Sequence, residues 1–224
     1  MKHKLIIAIM LLFATVTAHA AGKIYKPWSN GKLKVSDNNL YIIHDNGTPF
    51  FWMGNTAWLL PERLNREEAE YFLAKDREAG YNVEQIQVLN AIPTFNVYGH
   101  QANNAEFDFS KVSKPGVYGY WEHLDYIVDT AERNGIYIAM DCIWGSMLKQ
   151  MDIKKAENLG RFLATRYKDK PNIIWMIGGD IMGDRSPEIW DAMARAIKKI
   201  DKNHIMTFHP RGRTTSAWWY NDRE

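Results

Sequence analysis

Apolar strand segments alternate with amphipathic helical segments along most of this chain, and the alternation limits the folds open to it. Apolar runs that suit strands begin near residues 50, 83, 136, 173 and 205. Between them, apolar residues recur every three or four positions, as from Trp121 to Ala131, which is the spacing of a helix with one buried face. Strands joined through helices run parallel, so the pattern predicts an α/β fold with a parallel sheet.

Local signals predict where several elements begin and end. Asn65 is expected to cap the first of four helices, and Gly80 is expected to end it. The fourth helix is expected to begin after Ser186, because a capping residue, a proline and an acid follow one another there. Ahead of the first strand, residues 33–35 and 41–44 are separated by a turn sequence, which predicts a small N-terminal β-hairpin.

Two architectures satisfy this pattern: a doubly wound open sheet and a (β/α)8 TIM barrel. The predicted strands recur about every 39 residues, so eight such units would need roughly 310 residues. The sequence has 224 residues and reaches the fifth strand. We therefore expect either an open sheet of five strands or an incomplete TIM barrel with about the first five strands and four helices. In the second case, residues 21–48 form a hairpin segment and residues 49–224 form the N-terminal half of the barrel domain.

The first twenty residues have the composition of a secretory signal peptide. A short basic start is followed by an apolar run from Leu5 to Val16 and by Ala18-His19-Ala20, a small-residue cleavage site. The apolar run is too short to cross about 30 Å of hydrocarbon. We therefore expect residues 1–20 to be removed and the chain to be exported, to the periplasm or the cell exterior, with no membrane contact afterwards.

Charge and cysteine content exclude several functions. Lys and Arg number 28 against 26 Asp and Glu, so no basic surface for nucleic acid is expected. Cys142 is the only cysteine, which excludes a disulfide within the chain, and its apolar surroundings predict a buried strand residue. The histidines show no metal-ligand spacing, and the sequence has no glycine-rich phosphate loop, so we expect no metal and no cofactor.

The chemistry of such a fold is expected at the carboxyl ends of the strands, where ligands bind in both architectures. The segments that follow the predicted strands are rich in tryptophan and in hydrogen-bonding side chains. Flat apolar rings beside such groups suit a sugar, whose C–H face stacks on a ring while its hydroxyls meet polar groups. The candidate residues at this edge are Asn55, Trp58, Asp141, Trp144, Asp180, His209 and Arg211.

Asp180 is the strongest single candidate, because it follows five apolar residues and two glycines that leave room for a ligand. A structural interpretation stays open for the acids and the tryptophans. Asp180 could shape a loop, Asp141 could be a hydrogen-bonded carboxylate at a strand end, and the tryptophans could fill or cover the core. Glu84 lies early in its strand, near the opposite edge of the sheet, and is interpreted as structural.

Several segments of the sequence resemble the apiosidase-like glycoside hydrolases of family 140, which are exported TIM-barrel enzymes. The resemblance covers nearly the whole chain after the signal peptide, but only the front half of the family's catalytic domain. Its most specific blocks are Gly-Asn-Thr-Ala-Trp, residues 54–58, and Ile-Gly-Gly-Asp, residues 177–180. The other matching stretches are residues 48–53, 59–60, 64–69, 80–83 with Gln85 and Gln87, 172–176, and 209–212 with Trp218.

The resemblance implies a glycoside hydrolase that cleaves plant-type polysaccharide, such as pectin side chains, by a two-carboxylate mechanism. It implies that Asp180 is the general acid/base and that Gln87 joins the candidates above in binding the carbohydrate. The nucleophilic carboxylate of the clan follows the seventh strand, to which no residue of this chain corresponds. Many relatives are expected to carry an aspartate at the position of Asn55, so the sequence departs from the family there.

Two other functions remain open. The chain could be a carbohydrate-binding module without catalysis, which needs only the tryptophan-rich edge. It could also be an inactive truncated fragment, because a half barrel leaves two unpaired edge strands and an uncovered apolar interior. Such a surface is expected to associate with a C-terminal barrel half or with a second copy of the chain, so that the barrel closes.

Overall fold

The computed structural model describes residues 24–112 and 116–216, so the predicted signal peptide and Trp218 lie outside the described residues. A small antiparallel hairpin precedes a parallel sheet of five strands. The hairpin consists of β1 (Leu33–Val35) and β2 (Ile42–His44). The strands of the sheet are β3 (Gly54–Thr56), β4 (Val83–Gln87), β5 (Tyr137–Asp141), β6 (Ile173–Ile181) and β7 (Met206–Pro210).

The strands of the sheet lie in chain order from β3 to β7, and each neighbouring pair is parallel. A doubly wound sheet reverses its strand order at a switch point, whereas a barrel adds its strands in one direction. The observed order therefore decides in favour of part of a TIM barrel. The predicted N-terminal hairpin is also confirmed.

Helices fill every interval between the strands of the sheet. A single helical turn, α1 (Leu60–Arg63), follows β3 and is absent from the sequence prediction. The four predicted helices are confirmed as α2 (Arg66–Ala79), α3 (Tyr120–Asn134), α4 (Ile153–Tyr167) and α5 (Pro187–Ile200). None of the helices in the described part of the chain is both long enough and apolar enough to cross a bilayer.

The predicted cap of α2 is confirmed. The Asn65 side chain accepts a hydrogen bond from the Glu68 backbone N–H, and the Glu68 carboxylate accepts one from the Asn65 backbone N–H, both at 2.9 Å. Gly80 ends this helix in the left-handed conformation, with a φ of 93°. The cap predicted for α5 is wrong in its mechanism. The helix begins at Pro187, but Ser186 has a φ of 50° and its side chain makes no capping hydrogen bond.

The first predicted strand is wrong in position. The aromatic run that begins at Phe50 is not a strand, and pairing with β4 starts only at Gly54. Phe50 packs edge-on against the Tyr137 ring, with centroids 5.4 Å apart, and the Trp52 indole lies against Gly54. These rings belong to the cluster that covers the inner surface of the sheet. Phe50 and Trp52 of this apolar run therefore pack against the inner face of the sheet instead of forming a strand in it.

The inner face of the sheet, which corresponds to the interior of a barrel, is largely covered. The apolar residues that β4, β5 and β6 turn toward this face are at most 2% exposed, and Trp28, Trp52 and Trp58 pack against them. The expectation of an uncovered apolar interior is therefore wrong for the described residues. The buried residues of this face are Val83, Tyr137, Ala139, Ile174 and Met176.

The outer face, which packs on the helices, carries a buried acidic pair between β4 and α2. Glu84 is fully buried there, and its protonated carboxyl group donates a hydrogen bond to Asp76. Asp76 of α2 accepts a hydrogen bond from the Asn55 side-chain amide at 2.9 Å. Burial, followed by the adjacent Asp76, raises the pKa of Glu84 to about 10, so Glu84 is protonated at neutral pH. This placement fits a structural role for Glu84.

Glu84→Gln is expected to raise the free energy of unfolding at neutral and alkaline pH. The unfolded chain releases the Glu84 proton above about pH 4.5, whereas the folded chain keeps it until about pH 10, so the wild type loses stability as the pH rises through this interval. The slope is at most about 1.4 kcal/mol per pH unit, and the glutamine variant lacks it. Urea unfolding at pH 5, 7 and 9 measures the difference.

Glu78→Gln is the control for this experiment, since Glu78 is an exposed acid of the same helix that pairs with Lys75. It is expected to show no gain that grows with pH. A Glu84→Gln variant with the same advantage at pH 5 and pH 9 would contradict the assignment of a protonated Glu84.

Candidate active site

The strand β6 contains a bulge that carries Asp180. The register between β6 and β7 shifts at this point, so Gly179 and Asp180 lie outside the ladder of paired residues. Gly178, Gly179 and Asp180 have φ values of 121°, 91° and 54°, all in the region that favours glycine. A bulge redirects side chains out of the regular alternation of a strand. The Asp180 side chain is accordingly 59% exposed.

Close packing at this turn requires both glycines. A Cβ atom on Gly178 would collide with the backbone carbonyl of His209 on β7. A Cβ atom on Gly179 would lie 2.7 Å from Cε3 of Trp144. Side chains are therefore excluded from both positions, and the first side chain that the bulge presents is that of Asp180.

His209 on β7 contacts both the bulge and the rings beside it. The Asp180 backbone N–H donates to His209 Nδ1 at 3.3 Å, which assigns the ring proton to Nε2. Asp180 Oδ1 lies 3.8 Å from the same nitrogen. The His209 ring lies 5.1 Å from Trp58 and 5.6 Å from Trp144, and the two indoles are 5.3 Å apart between centroids. The three rings form a continuous aromatic surface beside Asp180.

An open cavity of about 610 Å³ lies in front of Asp180. Trp144 forms part of its wall, together with Lys149, Arg185 and Arg211. Among the described residues that line the cavity, Asp180 is the only acid. The site combines one carboxyl group, an aromatic wall and three cations, which suits a ligand that carries hydroxyl groups and negative charge. Within residues 24–112 and 116–216, no group of three or more His, Cys, Asp or Glu side chains is arranged to hold a metal ion.

Asp141 and Gln87 lie below this surface, paired in register on β5 and β4. Both are buried, and neither carboxyl oxygen of Asp141 has a hydrogen-bond partner. Burial, and then the charge of Asp180, raise the pKa of Asp141 well above its usual range. Asp141 therefore has no exposed surface, and its burial favours the uncharged form of the carboxyl group.

Asn55 is not brought to this site. Asn55 lies in β3, opposite Glu84 of β4, and its side chain faces α2. There its amide donates a hydrogen bond to Asp76. The cause is the alternation of side chains in a strand, which turns residue 55 toward the helices once β3 runs from Gly54 to Thr56. The predicted sugar contact of Asn55 has no geometric support in the described residues. The predicted residues that do meet at the edge are Trp58, Trp144, Asp180, His209 and Arg211.

Two residues of the cavity, Lys149 and Arg185, are absent from the sequence prediction. Lys149 lies in a 3-10 helix after β5, Gly145–Gln150, and Arg185 lies in the turn between β6 and α5. Each follows the carboxyl end of a strand, and this position is the signal by which the sequence could have indicated them. Their approach to Arg211 depends on the path of three separate loops, which the sequence does not reveal.

The strand order defines part of a TIM barrel, with aromatic and polar side chains at the carboxyl end of its sheet. Residues 36–224 match the apiosidase-like catalytic domain, and the chain belongs to this family. It is 56% identical to a glycoside hydrolase family 5 protein from Bacteroides vulgatus, with a TM-score of 0.87 over 91% of this chain and 45% of that chain. A second glycoside hydrolase is 57% identical, with a TM-score of 0.86 over 89% of this chain and 45% of that chain.

More distant structures share the fold alone. The endo-β-1,4-mannanase from Thermotoga petrophila is 15% identical, with a TM-score of 0.55 over 75% of this chain and 44% of that chain. Comparison with curated proteins finds no match. The chain spans about 45% of the length of the two similar glycoside hydrolases. The family predicted from the sequence is confirmed.

Gly179→Ala is expected to destabilise the protein more than Gly47→Ala. Their φ values are 91° and 86°, so either alanine costs about 1–3 kcal/mol of backbone strain. A Cβ atom at residue 47 meets open space, whereas one at residue 179 meets Trp144, which adds about 1–3 kcal/mol of overpacking. Chemical denaturation of both variants measures the difference. Equal losses of stability would show that the close packing beside Asp180 is absent.

Proposed function

We propose that this chain is part of a retaining glycoside hydrolase that cleaves plant-type polysaccharide, such as the side chains of pectin, with Asp180 as the general acid/base. The observation that carries the proposal is the bulge in β6, which holds Asp180 at the carboxyl end of the sheet beside an open cavity. Substrates of TIM barrels bind at this end. Membership of the apiosidase-like family supports the same chemistry.

Asp180 serves both halves of the reaction. In the first half, its protonated carboxyl gives a proton to the glycosidic oxygen as the bond to the anomeric carbon breaks. In the second half, the carboxylate takes a proton from the water that attacks the anomeric carbon, and the acid is restored. The hydrogen bond from the Asp180 backbone to His209 steadies the side chain at the cavity. The Trp144 ring offers a flat surface to the C–H face of the sugar.

Hydrolysis with retention of the anomeric configuration requires a second carboxylate about 5–5.5 Å from the first. This second carboxylate attacks the anomeric carbon. Asp141 is unsuited to this role, because it is fully buried, and burial disfavours the charged carboxylate that the attack requires. We therefore assign the nucleophile to further strands of the barrel. These strands pair with the edges at β3 and β7 and belong to a C-terminal barrel half. A second copy of the chain would cover the same edges but would bring no nucleophile.

The proposed substrate carries acidic sugars. Lys149, Arg185 and Arg211 line the cavity around a single acid, so the field inside it attracts carboxylate groups. The galacturonate residues of pectin supply such groups, which favours pectic material over neutral polysaccharide.

Asp180→Asn is expected to lower kcat/KM on a galacturonate-containing oligosaccharide by about 10²–10⁴-fold in the complete protein, because the leaving oxygen departs without a proton. On a dinitrophenyl glycoside, whose leaving group needs no proton, the first step is expected to be largely spared. Added azide is expected to restore turnover, since it attacks the glycosyl intermediate without a general base. Steady-state kinetics with both substrates measure these effects.

Asp184→Asn is the matched control, because Asp184 is an exposed acid four residues further on that does not line the cavity. Its kinetics are expected to equal those of the wild type. Hydrolysis by Asp180→Asn at the wild-type rate on both substrates would overturn the role of Asp180. Faster turnover of a neutral oligosaccharide than of its galacturonate-containing counterpart would overturn the substrate class alone.

We also propose that the protein is exported to the periplasm or the cell exterior after cleavage behind Ala20. The proposal rests on the apolar run and the small-residue site within residues 1–20. Mass spectrometry of the protein from its own cells is expected to find an N-terminus at Ala21. A mature N-terminus at Met1 would refute export by this signal.

A further inference from the structure

The long segment between β4 and α3 carries exposed aromatic rings that the proposed catalytic site does not use. Tyr98 and Tyr118 remain 42% and 37% exposed; their ring centroids are 5.8 Å apart and their planes stand at 78°, so a sugar stacks on one ring and meets the edge of the other. Arg66, the first residue of α2, contacts both of them. We call Arg66, Tyr98 and Tyr118 the aromatic platform.

Buried polar side chains connect residues 94–103 of this segment to one another and to Gly119. The Asn96 side chain accepts a hydrogen bond from the Tyr98 backbone N–H at 3.1 Å and donates one to the Gly119 carbonyl at 3.3 Å. Asn103, which is fully buried, accepts a hydrogen bond from the Thr94 backbone N–H at 2.8 Å. Because the backbone around Tyr98 already makes these contacts, a ligand that binds there has little conformational entropy of this stretch to overcome.

The hydroxyl groups of the two tyrosines fix the orientation of their rings. The Tyr98 hydroxyl accepts a hydrogen bond from the Arg66 backbone N–H at 3.0 Å. The Tyr118 hydroxyl donates to Nδ1 of buried His123 at 2.8 Å, because Nε2 of that ring donates to the Leu64 carbonyl at 2.9 Å. Burial lowers the pKa of His123, which agrees with a neutral ring. Both tyrosines are thus held at their hydroxyl ends, while their rings stay partly open to solvent.

Arg66 adds hydrogen-bond donors at the border of the platform. Its guanidinium carbon lies 5.7 Å from the Tyr118 ring centroid and 4.1 Å from the Tyr126 ring centroid. Flat rings beside a planar set of N–H groups match a sugar, whose C–H face stacks on a ring while its hydroxyl or carboxylate oxygens accept hydrogen bonds. The chemistry of the platform is therefore that of a carbohydrate site.

The platform lies at the same end of the sheet as Asp180 but outside its cavity. The segment leaves the carboxyl end of β4, whereas Asp180 belongs to the end of β6, and strands two places apart are separated by about 10 Å. β4 is not an edge strand, so strands that extend the barrel at β3 or β7 do not pair beside it. A polysaccharide that enters the Asp180 cavity reaches the platform only through sugars further along its chain.

We propose that the aromatic platform is a second carbohydrate-binding site, which holds the polysaccharide at sugars that are not being cleaved. This inference rests on the proposed function for its biological meaning. It adds to that function that a long polysaccharide is the preferred substrate. The binding itself does not require catalysis and is tested separately from it.

The test is isothermal titration calorimetry of the complete protein with hexagalacturonate, with mannohexaose and with the disaccharide of each sugar. Asp180→Asn is the common background, so that no probe is hydrolysed. Tyr98→Ala and Tyr118→Ala are each expected to weaken hexasaccharide binding about tenfold and to leave disaccharide binding unchanged, because a disaccharide in the cavity does not reach the platform. Tyr118→Phe keeps the ring and is expected to change the affinity less than threefold.

Tyr41→Ala is the matched control, since Tyr41 is an exposed tyrosine beside the N-terminal hairpin, and its affinities are expected to equal those of the background protein. Tyr98→Leu keeps apolar volume without a flat ring and is expected to repeat the Tyr98→Ala loss even if the alanine variant folds poorly. Unchanged hexasaccharide affinity in the tyrosine variants, or no hexasaccharide binding in the background protein, would overturn the inference. A protein that hydrolyses nothing, but whose platform variants lose hexasaccharide binding, would refute the proposed function and support the second site.

Discussion

Parallel strands have to be covered on both faces, and in this chain different parts of the sequence cover the two faces. The helices cover the outer face, where Trp121, Trp175 and Trp190 are fully buried. Rings from the hairpin segment and from both sides of β3 cover the inner face. At the carboxyl end the inner row changes from apolar residues to the buried polar residues Gln87 and Asp141. The inner face of the sheet is therefore apolar along most of its length and polar at the carboxyl ends of its strands.

Elements with local signals could be predicted from the sequence. α2 begins and ends at its capping box and its terminal glycine, and β4 to β7 begin within one residue of the predicted positions. The first strand could not be placed, because Phe50 and its aromatic neighbours have the composition of a strand. Only the contact of Phe50 with Tyr137, which is distant in sequence, places the run against the sheet instead of within it. The cap at Ser186 failed because its left-handed backbone leaves its side chain without a capping contact.

The candidate site could be predicted in part, because Trp144, Asp180, His209 and Arg211 all lie at or just beyond strand ends. The direction and depth of a side chain are harder to infer. Asn55 was expected in a loop, but it lies inside β3, where alternation turns it toward α2. Asp141 was expected at the same edge, but it is fully buried within β5. Composition and spacing contain no information on such contacts between distant segments.

The bulge in β6 also determines which positions of this site are free to diverge in evolution. Gly178 and Gly179 press on β7 and on Trp144, so selection for the fold and selection for the position of Asp180 act on the same two residues. Lys149, Arg185 and Arg211 are exposed and come from three separate loops. Substitutions in these loops therefore change the charge of the cavity without altering the backbone that positions Asp180.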